Sequence, residues 1–67
     1  MMKVGLVVFV KYATGEEFTG EVVKVRTMPD ASILFTLKTE IDGQTAYRSM
    51  YLHKCEVCDY LGFVGAA

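Results

Sequence analysis

The sequence has few of the residues that enzymes and metal sites use most. Its 67 residues include no tryptophan, one proline, one histidine and two cysteines. A catalytic site needs a nucleophile, a base and an orienting group held together in a cleft, and a chain this short rarely encloses a cleft that excludes water. We therefore expect a protein without enzymatic activity.

Neither sign of charge is in excess. Seven basic residues stand against eight acidic ones, which gives a formal net charge of −1. The chain thus lacks the basic surplus on which nonspecific phosphate binding relies. Contact with a nucleotide or nucleic acid would need a local patch, for which the candidates are Lys24 and Arg26 on one segment and Arg48, His53 and Lys54 on another.

Long hydrophobic runs are also missing. No stretch approaches the roughly 20 apolar residues that span a bilayer. The apolar start "MMKVGLVVFVK" is closed by Lys11 and is followed by no small-residue cleavage site, so we interpret it as a strand rather than a leader. We expect a cytoplasmic protein with no membrane partner and with both cysteines reduced.

What is present is a globular balance of residues. Hydrophobic residues make up 52% of the chain and charged residues 22%, which fits a single small domain over residues 1–67. A domain of this size has a minimal core, and so high an apolar share leaves hydrophobic side chains at its surface. We therefore expect a homo-oligomer, formed through exposed strand edges, or a patch that binds a partner.

Turn residues divide the chain into five short strands. The predicted strands cover residues 3–12, 16–27, 33–40 and 45–52, and residues 55–64 contain a short fifth strand and an apolar tail. The predicted turns contain Gly15, Pro29 and the pair Asp42–Gly43, which is the strongest short hairpin signal in the sequence. A brief interruption at Leu52–Lys54 predicts one turn of tight helix before the last strand. No window of 11 or more residues has helical periodicity.

The second predicted strand changes phase halfway along. Phe18, Gly20 and Val22 follow one phase, and Val23, Val25 and Thr27 follow the other. This change predicts a bulge or strong bend near residues 20–23, as in a strand that turns the corner of a small barrel. The fold class we expect is all-β: a small, five-stranded, strongly bent Src-homology-3-like (Sm-like) barrel with a one-turn helical interruption before the last strand.

The segment "YRSMYLHKCE" and the hairpin before it resemble the end of WYL-type domains, which are small barrels of the Sm and Src-homology-3 kind, although the tryptophan of that signature is missing. The resemblance implies that Met50 and Leu52 face the core, and that Cys55 and Cys58 replace buried apolar residues of the last strand. WYL-type domains look like ligand sensors whose basic residues contact nucleotide or nucleic-acid ligands.

The only histidine and both cysteines fall within six residues, which raises the question of a metal or redox site. His53, Cys55 and Cys58, with Asp59 as a fourth ligand, have the chemistry of a zinc site. A structural zinc site usually joins two ligand pairs, however, and this chain has no second pair. A redox Cys-x-x-Cys needs a helix amino terminus that the pattern does not provide. We expect no cofactor and two thiols that fill the core.

Tyrosines provide the best candidates for a binding surface. Tyr47, Ser49 and Tyr51 share a phase on the fourth strand, and this phase would display two rings near Arg48 and Lys54. Ordinary cross-strand packing is the alternative. We expect a nonenzymatic module that binds another protein, of the compact kind that phages and mobile elements encode as regulators. The alternative is a nucleotide or nucleic-acid binder that uses Lys24, Arg26, Arg48 and Lys54.

Overall fold

The structure, a computed structural model, describes residues 2–64, which form five strands. They are β1 (Leu6–Tyr12), β2 (Glu17–Thr27), β3 (Ile33–Ile41), β4 (Gln44–Tyr51) and β5 (Cys55–Phe63), with a one-turn 3-10 helix at Leu52–Lys54. The all-β prediction and the one-turn interruption are confirmed. The prediction of a short last strand is wrong, because β5 has nine residues. Within residues 2–64 no helix has the length and apolar character needed to cross a membrane.

All five strands belong to one antiparallel sheet. Their order is β4-β3-β2-β1-β5, so β4 and β5 are its edge strands. Neighbours in sequence pair as hairpins except β5, which returns to pair with β1. In the part of the chain that the structure describes, no ladder joins β4 to β5. The structure therefore shows an open antiparallel sheet.

The predicted turns lie where the sequence places them. Asp42 and Gly43 join β3 to β4, and both have positive φ, 53° and 77°, as a two-residue hairpin turn of the primed type requires. Between β2 and β3, the Asp30 carboxylate accepts hydrogen bonds from the Ser32 backbone N–H (3.0 Å) and hydroxyl (2.6 Å). These two bonds lower the pKa of Asp30. Short, well-defined turns fix the register of the strands that they connect.

The core lies on one face of the sheet, here called the inner face. Alternation along each strand sends branched and aromatic side chains to this face, where five of them are fully buried: Val8, Val10, Val22, Phe35 and Leu37. Met2 and Met50 complete the buried cluster. Burial of each such side chain contributes about 1.5–3 kcal/mol, which makes this small cluster the main source of stability.

A bulge in β2 explains the phase change in its sequence. Val22 lies opposite Leu37 and Lys24 lies opposite Thr36, so Val23 is an extra residue with no partner on β3. Because of it, Val22 before the bulge and Val25 after it both pack on the core side. Close by, Gly20 approaches β3 so tightly that a Cβ would overlap the carbonyl oxygen of Lys38. The predicted bulge is confirmed.

Candidate binding face

The outer face of β2, β3 and β4 carries basic and tyrosine side chains in three rows. Residues directly opposite each other on antiparallel strands project from the same face of the sheet. The register therefore aligns three rows of three residues: Glu21–Lys38–Tyr47, Lys24–Thr36–Ser49 and Arg26–Leu34–Tyr51. We call these nine residues the basic tyrosine face.

The bulge of β2 determines which of its residues reach this face. If β2 were a regular strand, the alternation that buries Val22 would direct Lys24, two residues later, toward the core. With the bulge, Lys24 and Arg26 lie on the outer face and are exposed. The sequence analysis named both residues as candidate binding residues but did not predict their position beside the tyrosines. That position depends on the register between strands, which cannot be derived from the sequence of either strand alone.

Lys38 is a member of the face that the sequence analysis missed. It is exposed and lies directly opposite Tyr47. Its position could have been predicted from the sequence, because a two-residue turn at Asp42–Gly43 fixes the pairing of the hairpin and places Lys38 opposite Tyr47.

A hydrogen bond between two hydroxyl groups links β3 to β4 at the centre of the basic tyrosine face. The Thr36 and Ser49 hydroxyl oxygens lie 2.8 Å apart and share a hydrogen bond between β3 and β4. Leu34 and Tyr51, in the next row, are half-buried, whereas Tyr47 is 57% exposed. The predicted exposure of tyrosine rings thus holds fully for Tyr47 and in part for Tyr51. A polar centre beside an exposed ring is an accessible contact surface.

Charge is unevenly distributed on this face. Its nine residues include three cations, Lys24, Arg26 and Lys38, and one carboxylate, Glu21, which lies opposite Lys38. The two rows that contain Lys24 and Arg26 hold no acid. Glutamates collect instead at the other end of the β2–β3 ladder, where Glu16, Glu17 and Glu40 line an open concavity. The basic tyrosine face is therefore locally positive, although the chain as a whole has a net charge of −1.

His53 and Lys54 extend the basic surface toward β1. The His53 ring lies 5.5 Å from the Tyr51 ring, centroid to centroid. Both His53 and Lys54 line an open concavity that also includes Lys11 and one acid, Glu56. The histidine therefore lies between the basic tyrosine face and a second group of cations, Lys11 and Lys54.

Arg48 projects from the opposite face of β4 to the tyrosines with which the sequence analysis grouped it. It is opposite Leu37, a buried core residue, and so belongs to the inner side of β4. Its guanidinium donates a hydrogen bond to the Tyr47 carbonyl at 3.1 Å, and it lines a concavity with Glu16 and Phe18. Alternation along β4 directs the Arg48 side chain to the opposite face from Tyr47 and Tyr51, so its part in a binding site stays a prediction.

The two cysteines have different environments. Cys55 is half-buried beside the core, its thiol donates to the Tyr51 carbonyl at 3.2 Å, and burial raises its pKa. Cys58 is exposed, and the expectation that it fills the core is wrong. The reason is a second bulge: Phe9 lies opposite Asp59 and Val10 opposite Val57, so Cys58 between them has no partner on β1.

The zinc hypothesis gains no support from this geometry. Within residues 2–64, no group of three histidine, cysteine or acidic side chains is arranged to hold a metal ion. Cys58, whose thiol lies 3.7 Å from the Glu56 carbonyl, is displaced by the bulge from the regular alternation of β5.

Comparison with known protein families, curated proteins and solved structures found no match. The candidate site is therefore defined by its own geometry.

Proposed function

We propose that this chain is a nonenzymatic binding module that recognises an acidic surface of another protein through the basic tyrosine face. We further propose that its bent sheet is a member of the small barrels of the Src-homology-3 and Sm kind. The strand order, the bulged β2 and the one-turn helix before the last strand support this assignment. The WYL-type resemblance of residues 47–56 is part of the same proposal.

The observation that carries the proposal is the cross-strand register. It brings Lys24 and Arg26 onto one face with Tyr47 and Tyr51, although these pairs lie more than 20 residues apart in the chain. Tyrosine and arginine are the residue types that dominate binding energy in protein interfaces. Tyr47 and Tyr51 are four residues apart on one strand, which places their Cα atoms about 13 Å from each other. That separation suits the centre of a protein interface.

A protein partner fits this face better than stacked bases do. The Tyr51 and His53 rings are tilted by 41°, so they do not form a parallel platform for successive bases. Lysine and arginine beside exposed tyrosine instead complement a surface that presents carboxylates, for which charge pairing gives orientation and faster association.

A nucleotide or nucleic-acid ligand is the second candidate, and one observation favours it. His53 lies beside Tyr51 of the basic tyrosine face and lines the concavity that holds Lys11, Lys54 and Glu56, so a track of three basic residues and one acid continues from the face. Phosphates on such a track would displace counterions, so binding would weaken steeply with salt. The WYL-type resemblance points to the same ligand class.

Two double variants with the same change in charge separate the candidates. K24A/R26A removes cations from the basic tyrosine face, and K11A/K54A removes them from the concavity; each lowers the net charge by two. Tagged wild-type and variant proteins are used to capture partner proteins from a host lysate. The same proteins are titrated with a fluorescent 20-nucleotide oligothymidine at several salt concentrations.

The proposal expects one captured protein to be retained by the wild type and by K11A/K54A and lost with K24A/R26A, with no comparable oligonucleotide binding. If the oligonucleotide binds instead, and both double variants weaken it and reduce its salt dependence, the nucleic-acid candidate is correct. If K24A/R26A captures the same protein as the wild type, the basic tyrosine face is not the surface that binds it.

A further inference from the structure

A group of exposed hydrophobic side chains lies away from the basic tyrosine face, along the end of β5. Five apolar residues there are at least half exposed: Val4 (56%), Tyr60 (55%), Leu61 (52%), Phe63 (53%) and Val64 (50%). We call them the apolar edge. Tyr60 lies opposite Val8 and Phe63 opposite Leu6, so these two rings project from the same face of the sheet, and the Val64 N–H donates to the Gly5 carbonyl at 2.6 Å, next to Val4.

The structure holds the apolar edge in a fixed position. Gly5 has a φ of +97°, and a Cβ there would overlap the Val64 carbonyl oxygen and come within 3.1 Å of the Phe63 ring. Only glycine allows the chain before β1 to approach β5 so closely. The Lys3 ammonium lies 5.0 Å from the centre of the Phe63 ring and covers part of it. These side chains are therefore presented to solvent by an ordered segment.

The backbone of β5 is poorly suited to the addition of another strand. Val7 lies opposite Gly62 and Val8 opposite Tyr60, so Leu61, like Cys58, has no partner on β1. Bulges of this kind interrupt the row of edge hydrogen-bonding groups, and Glu56 and Asp59 add charge to it. An interface at this edge must therefore depend on its side chains.

The exposed area is close to what a small dimer needs. Each half-exposed aromatic ring leaves on the order of 100 Å² in solvent. Two copies of the five-residue patch, with their immediate surroundings, would together bury about 1,000 Å², which is the lower limit for a specific interface. A patch without complementary charges suits a second copy of itself, because a twofold axis brings the same surface from each chain together.

We propose that the apolar edge is the interface of a twofold symmetric homodimer, in which Tyr60, Leu61 and Phe63 of one chain pack against the same residues of a second chain. The occupant is a second copy, and the contact is between side chains rather than between paired strands. Burial of these side chains supplies its free energy, so the dimer tolerates high salt, unlike contacts made by the basic tyrosine face.

Two tyrosines make a matched test. Tyr60→Ser removes a ring from the apolar edge, and Tyr47→Ser removes a ring of nearly equal exposure, 57% against 55%, from the other edge strand. Sedimentation equilibrium over a wide range of protein concentration, at 0.15 and 1 M NaCl, measures the mass relative to the 7.5 kDa of one chain. We expect a monomer–dimer equilibrium that Y60S weakens at least 10-fold and Y47S changes by less than twofold, at both salt concentrations.

Circular dichroism confirms that each variant is folded. If Y60S does not fold, Leu61→Ser replaces it, because Leu61 is unpaired and half exposed. A wild type that stays monomeric up to millimolar concentration overturns the proposal. So does a dimer that Y47S dissociates while Y60S does not, which would place the interface at β4. A trimer overturns it as well, because three chains related by a threefold axis require a contact between unlike surfaces.

Discussion

Gly20 lies between two paired strands, where a single added methyl group should be strongly destabilising. It lies opposite Val8 on one side and Thr39 on the other, so β2 is flanked by paired strands at this point. A Cβ would overlap the Lys38 carbonyl oxygen and lie 3.0 Å from the Lys38 carbonyl carbon and 3.2 Å from the Thr39 Cα. All three atoms belong to the backbone of β3, so no side-chain rotation can relieve the contact. Gly20→Ala must push β2 and β3 apart.

The expected cost is about 3 kcal/mol of unfolding free energy. Overpacking a filled site costs about 1–3 kcal/mol. Separation of the strands also strains the nearby hydrogen bond from the Thr39 hydroxyl to the Thr19 carbonyl, 2.6 Å long, which contributes about 1 kcal/mol. A domain of this size has a total stability of only about 3–10 kcal/mol. The variant should therefore be marginally folded at 25 °C.

Urea denaturation followed by far-UV circular dichroism measures this loss directly. With a slope near 1 kcal/mol per molar for a small domain, the midpoint should fall by about 3 M. Gly15→Ala is the control, because no atom lies within 4 Å of its added Cβ and only its φ of +94° is unfavourable. That strain costs about 1 kcal/mol. If G20A loses no more stability than G15A, the close approach of β2 and β3 does not constrain the fold as we argue.

Two further predictions concern the turns and the thiols. Ala31 has a φ of +72°, so Ala31→Gly should relieve strain and raise the unfolding free energy by about 0.5 kcal/mol, measured as a melting temperature a few degrees higher; a lower one would contradict it. Cys58 should react with a thiol reagent at pH 8 before Cys55, whose raised pKa keeps it protonated. Burial makes the pKa of Cys55 higher in the folded state than in the unfolded state. The contribution of Cys55 to the unfolding free energy is therefore complete below the unfolded-state pKa and is lost as the pH rises through the folded-state pKa. Equal reaction rates in Cys55→Ser and Cys58→Ser would contradict this difference in burial.

The strands and turns could be predicted from the sequence because each depends on local chemistry. Asp42–Gly43 needs positive φ at both positions, and such a turn fixes a hairpin by itself. The phase change after Val22 likewise indicated the bulge without any knowledge of β3, because apolar side chains on both sides of it must reach one core.

What the sequence did not predict depends on the partner strand. The unpaired position of Cys58 follows from how β5 matches β1, and two bulges in nine residues shift that register twice. The position of Lys24 beside the tyrosines depends in the same way on the ladder from β2 through β3 to β4. The net charge of −1 did not indicate this face either, because it does not show that Glu16, Glu17 and Glu40 lie together at the other end of the β2–β3 ladder from Lys24 and Arg26.

The two surfaces that we propose have compatible positions in the sheet. The basic tyrosine face lies on β2, β3 and β4, whereas the apolar edge lies on β5 and the residues before β1. A dimer formed through the apolar edge therefore uses none of the residues of the basic tyrosine face and presents two copies of it. Two linked faces bind a partner with repeated acidic sites more tightly than one face does, because the second contact is intramolecular. Dimerisation would then raise the affinity of a module whose single face is small.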